Sequence, residues 1–99
     1  MQKIKKYVDQ IREELDGAEE YVEKYIENKL EGKNDRALLY KQLAQDEIRH
    51  SDVIHKIALE DIEQLNSIYN PSSEMLATWD KAHIEFVNKY KWIESLINA

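Results

Sequence analysis

The amino-acid sequence predicts an all-α fold, an antiparallel bundle of three long helices that forms one domain over residues 1–99. Three observations lead to this prediction. The chain contains two glycines and one proline among its 99 residues, so few positions interrupt a helix. Apolar residues recur at steps of three and four over almost the whole length, which is the period of an amphipathic helix. Clear breaks in this pattern lie around residues 32 and 71.

The first helix is predicted to start near Ile4 and to run for about 28 residues. Its seam consists of Ile4, Val8, Ile11, Leu15, Ala18, Val22 and Tyr25, followed by Lys29 and Leu30. Gly17 lies inside this helix and costs about 1 kcal/mol relative to alanine, but the seam continues on both sides of it. The heptad places Glu14 beside the core and directs Glu13 and Glu20 away from it. Glu14 is therefore the acidic residue aimed closest to the interior.

The two breaks define the other helices. Gly32 suits the left-handed conformation that ends a helix, and Asn34 or Asp35 is predicted to cap the second helix, which runs from about Asp35 to Tyr69. A connection this short makes the neighbouring helices antiparallel. The turn Asn70-Pro71-Ser72-Ser73 separates the second helix from the third, about Ser73 to Asn98. The seam of the third helix is Leu76, Trp79, His83, Phe86, Tyr90, Ile93 and Ile97.

The apolar stripe of the second helix includes residues within about 40° of Glu47 around the helix, namely Tyr40, Leu43, Ile54, Ala58 and Leu65. Two polar residues also fall within this stripe. Glu47 and His50 have the Glu-x-x-His spacing that directs both side chains at one metal ion in a helical bundle, and their burial is costly without a partner. Folding the first two helices back around residue 33 brings Glu14 level with both to within a few ångström. We therefore predict that Glu14, Glu47 and His50 are three ligands of one metal site. The alternative is an internal ion pair, in which His50, Arg49 or a lysine holds Glu47.

The remaining histidines are predicted to lie elsewhere. The same geometry brings His83 level with Asp61, roughly 15 Å along the bundle from Glu47, and predicts a buried Asp61–His83 hydrogen bond. A second metal site at Asp80-x-x-His83 is the alternative for this region. His55 lies about 80° from the centre of its stripe, which predicts a residue at the rim of the core or, alternatively, one that lines a substrate path.

Part of the chain resembles a known family. Glu14, Tyr21 seven residues later, Glu31-Gly32 and Ala44-Gln45-Asp46-Glu47-Ile48-Arg49-His50 resemble the first helical hairpin of rubrerythrins and related ferritin-like di-iron proteins. The pattern covers residues 11 to 57, a little under half of the chain. The resemblance implies that Glu14, Glu47 and His50 bind iron, and that Tyr21 is a hydrogen-bonding group beside the cofactor. Manganese and zinc are alternative ions for such ligands.

The chain also departs from this family. It has one such hairpin, no cysteine for a rubredoxin-type iron centre, and Asp80-x-x-His83 where a second Glu and Glu-x-x-His pair would stand. Small encapsulated ferritins of similar length dimerise, so that two chains each supply half of the site. The resemblance thus implies a ferritin-like hairpin completed by dimerisation into a homodimer or higher even-numbered oligomer, with ferroxidase or peroxide-consuming activity.

Other classes of function stay open. The chain also resembles short ferritin-like proteins encoded near phage structural genes, which implies a non-enzymatic structural or assembly protein with an empty or vestigial metal site. An adaptor coiled coil is a third possibility. The lack of cysteine excludes disulfides, zinc–thiolate sites and thiol catalysis. The net charge of −6 disfavours nucleic acid and anionic membranes as partners.

Apolar residues outside the stripes predict an association surface. Trp92 lies about 180° from His83 on its helix, and Leu38 lies opposite Glu47. Leu59 and Ile84 also fall outside their own stripes, and such exposed groups suggest an interface. The Glu47 face, the Trp92 face or both could form the twofold interface. No signal peptide and no run of about 18 apolar residues is evident, so we expect a cytoplasmic protein, or one inside an encapsulating shell or virion.

Overall fold

Three helices make up the part of the chain that the computed structural model describes, residues 2–68 and 73–98. They are α1 (Gln2–Leu30), α2 (Asn34–Ile68) and α3 (Ser73–Ile97), and the described residues contain no strand. The all-α prediction and the number of helices are confirmed. The predicted end of the second helix at Tyr69 and most of the turn that follows lie outside the described residues. None of the described helices is both long enough and apolar enough to cross a lipid bilayer.

The connection between α1 and α2 is a helix-ending turn built on Gly32. Its φ of 76° is the left-handed conformation that the sequence predicts there. The Lys33 amide donates to the Asn28 carbonyl at 2.9 Å and the Gly32 amide to the Lys29 carbonyl at 3.1 Å, the hydrogen-bond pattern of a Schellman motif. Because the Lys33 carbonyl accepts the first bond of α2, Lys33 occupies the N-cap. The predicted caps are therefore wrong by one or two residues, and Asp35 lies in the first turn instead.

The predicted seam of α1 is confirmed as the centre of the core. Its first seven members are buried, namely Ile4, Val8, Ile11, Leu15, Ala18, Val22 and Tyr25. The prediction is wrong at the end of the seam, where Lys29 and Leu30 are exposed beside the turn. On α2, the small buried residues Ala44, Ser51 and Ala58 recur every seven positions. Small side chains at this spacing let the backbones of two helices approach closely. The Ser51 hydroxyl is satisfied within its own helix, because it donates to the Ile48 carbonyl at 2.7 Å.

Side-chain contacts establish which parts of the helices meet. Near the start of α1, Tyr7 donates a hydrogen bond to Asp61 near the end of α2. Towards the middle of both helices, Glu14 lies 3.4 Å from His50. Contacts between α1 and α3 advance in the same direction along both helices, since Arg12 pairs with Glu85 at 2.8 Å and Asp16 pairs with Lys89. The α1–α2 pair forms most of the core, and α3 packs against one side of it.

The buried face of α2 is rotated from the predicted stripe. Leu43, which the sequence places within about 40° of Glu47, is 40% exposed, whereas Ala44 and Ser51 are fully buried. The reason is that α3 contacts α2 through Asp52 and His55. Among the described residues, no helix packs against the other flank of the stripe, which carries Leu43.

The predicted hydrogen bond between Asp61 and His83 is wrong. Asp61 accepts a hydrogen bond from Tyr7 and pairs with Lys3 at 3.1 Å, both from α1. His83 instead lies 2.9 Å from His55, measured between Nδ1 and Nε2, and is exposed rather than buried. The sequence places the two residues at the same height, but the Asp61 side of α2 faces α1 and not α3. Similar height along a bundle does not by itself bring two side chains together.

Candidate metal centre

Three side chains from α1 and α2 converge near the middle of the helical pair. Glu14, Glu47 and His50 each offer one ligand atom, and these atoms all lie within 4.8 Å of one another. His50 Nδ1 is 3.4 Å from Glu14 Oε2 and 3.7 Å from Glu47 Oε1. The structure thus brings together the three residues that the sequence selects as metal ligands. Whether they bind a metal stays a prediction.

The cluster is less buried than the sequence suggests. The side chains of Glu14 and Glu47 are 28% and 25% exposed, and that of His50 is 52% exposed. The expectation that His50 lies in a buried face is therefore wrong. Around the axis of α2, His50 is separated by about 140° or more from Asp52 and His55, the residues that contact α3. Because α3 packs on that opposite side, the cluster opens to the surface.

A glycine makes room for the cluster. A Cβ atom added at Gly17 would lie only 2.9 Å from Glu47 Oε2, closer than real Cβ contacts allow. Gly17 follows Glu14 by three residues, so both lie on the same side of α1. The carboxylate of Glu47 therefore packs against the backbone of α1 at Gly17, where no side chain projects. The signal in the sequence for this role is a glycine within an otherwise unbroken helical seam. From the sequence alone, Gly17 is recognised only as a residue of low helix propensity.

The two carboxyl groups interact directly. Hydrogen bonding to Glu14, followed by burial and the charge of Glu14, raises the pKa of Glu47 to about 7, and His50 opposes this shift. Two facing carboxylates at this separation repel each other unless a proton or a cation lies between them. At neutral pH the pair therefore holds a proton for part of the time. A divalent cation can replace that proton and neutralise both groups.

The donor set and its spacing fit a transition-metal ion. Two ligand atoms bound about 2.1 Å from one ion at a tetrahedral angle are about 3.4 Å apart. The two distances from His50 Nδ1, 3.4 and 3.7 Å, are close to this value. Two carboxylates with one imidazole suit Fe²⁺, Mn²⁺ and Zn²⁺. Three donors nevertheless leave part of the coordination sphere of such an ion unfilled.

The neighbouring residues show which alternatives apply. Arg49 forms an ion pair with Asp46, so the pairing of Arg49 with Glu47 that the sequence leaves open is not formed. Tyr21 packs against Tyr40 with ring centroids 6.3 Å apart, and its predicted role as a hydrogen-bonding group beside the cofactor stays a prediction. Across residues 2–68 and 73–98, Glu14, Glu47 and His50 form the one convergent group of three or more such ligands. The alternative metal site at Asp80-x-x-His83 gains no support.

Comparison with known proteins gives no match, whether the chain is compared with protein families, with curated proteins or with solved structures. The arguments for the function therefore come from the geometry and chemistry of the cluster.

Proposed function

We propose that this chain is a ferritin-like metal-binding protein that binds iron at Glu14, Glu47 and His50. The observation that carries the proposal is the convergence of three ligand atoms to within 4.8 Å. The raised pKa of Glu47 supports it, because it indicates two carboxyls close enough to share a positive charge. The space that Gly17 leaves beside Glu47 is a third support. Manganese and zinc are alternative ions.

A second copy of the chain is proposed to complete the site. One chain supplies two carboxylates and one imidazole, whereas two chains related by a twofold axis supply four carboxylates and two imidazoles. This larger set is the one found in ferritin-like di-metal bundles. The pairing of two antiparallel α1–α2 hairpins would also give the four helices of that architecture. Under this proposal, each chain contributes half of the centre.

The surface beside the cluster supports this arrangement. Four apolar residues of α2 are 40–61% exposed, and all lie within about 60° of His50 around the helix. They are Leu39, Leu43, Val53 and Ile57. An exposed apolar strip of this kind, next to an incomplete polar site, is typical of an interaction surface. We call it the His50 face and propose that it packs against the same face of a second copy.

The bound ion defines the activity within this proposal. Iron would supply the redox chemistry for ferroxidase or peroxide-consuming activity. Glu14, Glu47 and His50 would bind the ion, and the two carboxylates would neutralise its charge. The acidic chain, at net charge −6, favours approach of cations. Cytoplasm, or the interior of a shell or virion, is the proposed location.

A second candidate function rests on a specific observation. Glu14, Glu47 and His50 interact directly with one another, through carboxyl hydrogen bonding and an imidazole 3.4 Å from a carboxylate. A non-enzymatic structural or phage-related assembly protein could retain such a cluster only to hold α1 against α2. Under this second proposal the cluster is a structural contact and the metal site is vestigial.

Metal titration of variants separates the two proposals. Glu47→Ala and His50→Ala should each abolish Fe²⁺ or Mn²⁺ binding, whereas Glu13→Ala and Glu20→Ala, at exposed positions on α1, should leave it unchanged. The measurement is equilibrium binding to protein purified without a nickel column. Unchanged binding by Glu47→Ala would favour the structural proposal.

A further inference from the structure

A cavity lies between α1 and α3, apart from the Glu14, Glu47 and His50 cluster. Its volume is about 190 Å³. Val8, Ile11 and Leu15 of α1 form an apolar floor, and Trp79 and Phe86 of α3 contribute aromatic walls. An apolar cavity of about 150 Å³ in a protein is large enough for a benzene molecule. The cavity therefore has room for one aromatic ring with a small substituent.

The rings that line the cavity are already stacked. The ring of His55 lies nearly parallel to that of Phe86, with centroids 4.6 Å apart and planes 4° apart. The ring of His55 also stacks with that of Trp79, with centroids 5.6 Å apart and planes 20° apart. These stacked rings present faces and edges against which an aromatic ligand can pack. Offset or edge-to-face contact with such rings favours an aromatic ligand over an aliphatic one of equal size.

The polar groups of the cavity comprise a histidine pair and a rim of ion pairs. His55 Nε2 and His83 Nδ1 are 2.9 Å apart, so one ring donates to the other, and each keeps a second nitrogen. Burial, and then the neighbouring His83, lower the pKa of His55, which favours its neutral form. At the rim, Arg12 pairs with Glu85, and Lys89 pairs with both Asp16 and Glu19.

We propose that this cavity binds a neutral molecule of one aromatic ring that carries a hydroxyl group, a ligand of the phenol class. The volume sets the size, the stacked rings select an aromatic ligand, and the histidine pair supplies a hydrogen-bonding partner for the hydroxyl group. Arg12 and Lys89 at the rim are already paired with carboxylates, so an anionic ligand would be buried without a partner, which is costly. His55 thus lies beside a small-molecule site, which corresponds to the substrate path that the sequence leaves open as an alternative to a rim position.

Phenol titration followed by tryptophan fluorescence tests the proposal. The chain has two tryptophans, so Trp92→Phe leaves Trp79, in the cavity wall, as the only one. In this background we expect a saturable change in Trp79 fluorescence with a Kd of about 1 mM or tighter. Cyclohexanol should bind more weakly because it cannot stack, and benzoate should bind more weakly because it is charged.

A matched pair of variants locates the binding site. Ala82 lines the cavity, whereas Ala77, on the same helix, is exposed. Ala82→Phe fills the cavity and should weaken phenol binding at least about tenfold, while Ala77→Phe should leave it unchanged. Equal affinity in the two variants, or no saturable change in the parent, would overturn the proposal.

A second measurement does not depend on the folding of any variant. Intermolecular nuclear Overhauser effects between phenol and the methyl groups of Val8 and Ile11 should appear in the unmodified protein. Effects confined to Leu39 and Leu43, on the His50 face, would overturn the proposal because phenol would then bind the exposed apolar strip. This experiment is independent of metal binding, since it is made in the presence of a chelator.

Discussion

At the scale of single residues, the two glycines of this chain have opposite roles. Gly32 adopts a φ of 76°, which side chains rarely tolerate, and no atom lies within 4 Å of a Cβ built there. Gly17 lies within a regular helix, where any residue fits the backbone, but Glu47 Oε2 occupies the space of its missing side chain. Gly32 is thus required by the backbone, and Gly17 by a neighbouring carboxylate.

Substitution of each glycine by alanine should separate these roles. Gly17→Ala should raise the free energy of unfolding by about 0.5–1 kcal/mol through helix propensity, and should weaken metal binding by displacing the flexible end of Glu47. Gly32→Ala should lower the free energy of unfolding by about 1 kcal/mol through backbone strain and leave metal binding intact. Urea unfolding and metal titration measure both effects. Tight metal binding by Gly17→Ala would contradict the role given to this glycine.

The pKa of Glu47 predicts how stability depends on pH without metal. Its value of about 7 lies above the ordinary 4.5, so the folded state holds the proton more tightly than the unfolded state does. This stabilisation is complete below the ordinary pKa and is lost as pH rises through the folded value. Urea unfolding in chelator should therefore show a steeper loss of stability between about pH 5 and pH 8 for the wild type than for Glu47→Gln. Glu13→Gln, at an exposed position, is the control and should follow the wild type; parallel profiles for all three would contradict the prediction.

At the scale of helices, sequence periodicity predicts local structure better than contacts between helices. The seam of α1 and the break at Gly32 follow from spacing and backbone conformation, which are local properties. The convergence of Glu14 with Glu47 was also predictable, because a short turn fixes the relative height of α1 and α2. The placement of α3 was not predictable in this way, since the direction from which it approaches α2 depends on packing that periodicity does not encode. This is why the expected partner of His83 is wrong.

The contacts of Asp61 give a prediction at this scale. Asp61 accepts a hydrogen bond from Tyr7, which lowers its pKa, and pairs with Lys3. In a double-mutant cycle of urea unfolding, Tyr7→Phe and Asp61→Asn should therefore show a coupling energy. His83→Ala and Asp61→Asn should instead be additive, because these two residues contact different neighbours. Coupling between His83 and Asp61 would restore the arrangement first expected from the sequence.

At the scale of the whole molecule, the exposed apolar residues lie on more than one side. The predicted exposure of Leu38, Leu59, Ile84 and Trp92 is confirmed, since each is 39–60% exposed. The strip of the His50 face was missed because Leu43 was assigned to the buried stripe. Its four residues are adjacent to the incomplete metal site, whereas Trp92 lies on α3. The position of the strip favours the His50 face as the twofold surface.

Matched substitutions distinguish the two surfaces. Ile57 and Trp92 are similarly exposed, at 45% and 47%, so a change to glutamate can be compared at the two positions. Ile57→Glu should weaken the proposed dimer, because it places a charge within the apolar strip, and Trp92→Glu should not. Light scattering should report a mass of about twice the 11.8 kDa of one chain for the wild type and for Trp92→Glu. A mass of one chain for the wild type at micromolar concentration, with and without Fe²⁺, would contradict the shared site.

The central claim is that Glu14, Glu47 and His50 bind a metal ion, and anomalous X-ray diffraction at the iron absorption edge tests it most directly. The measurement uses crystals of the full chain grown with Fe²⁺ under anaerobic conditions. We predict an anomalous peak about 2–2.5 Å from a ligand atom of each of the three residues. A map with no peak at this cluster, or with iron bound only elsewhere on the protein, would contradict the claim.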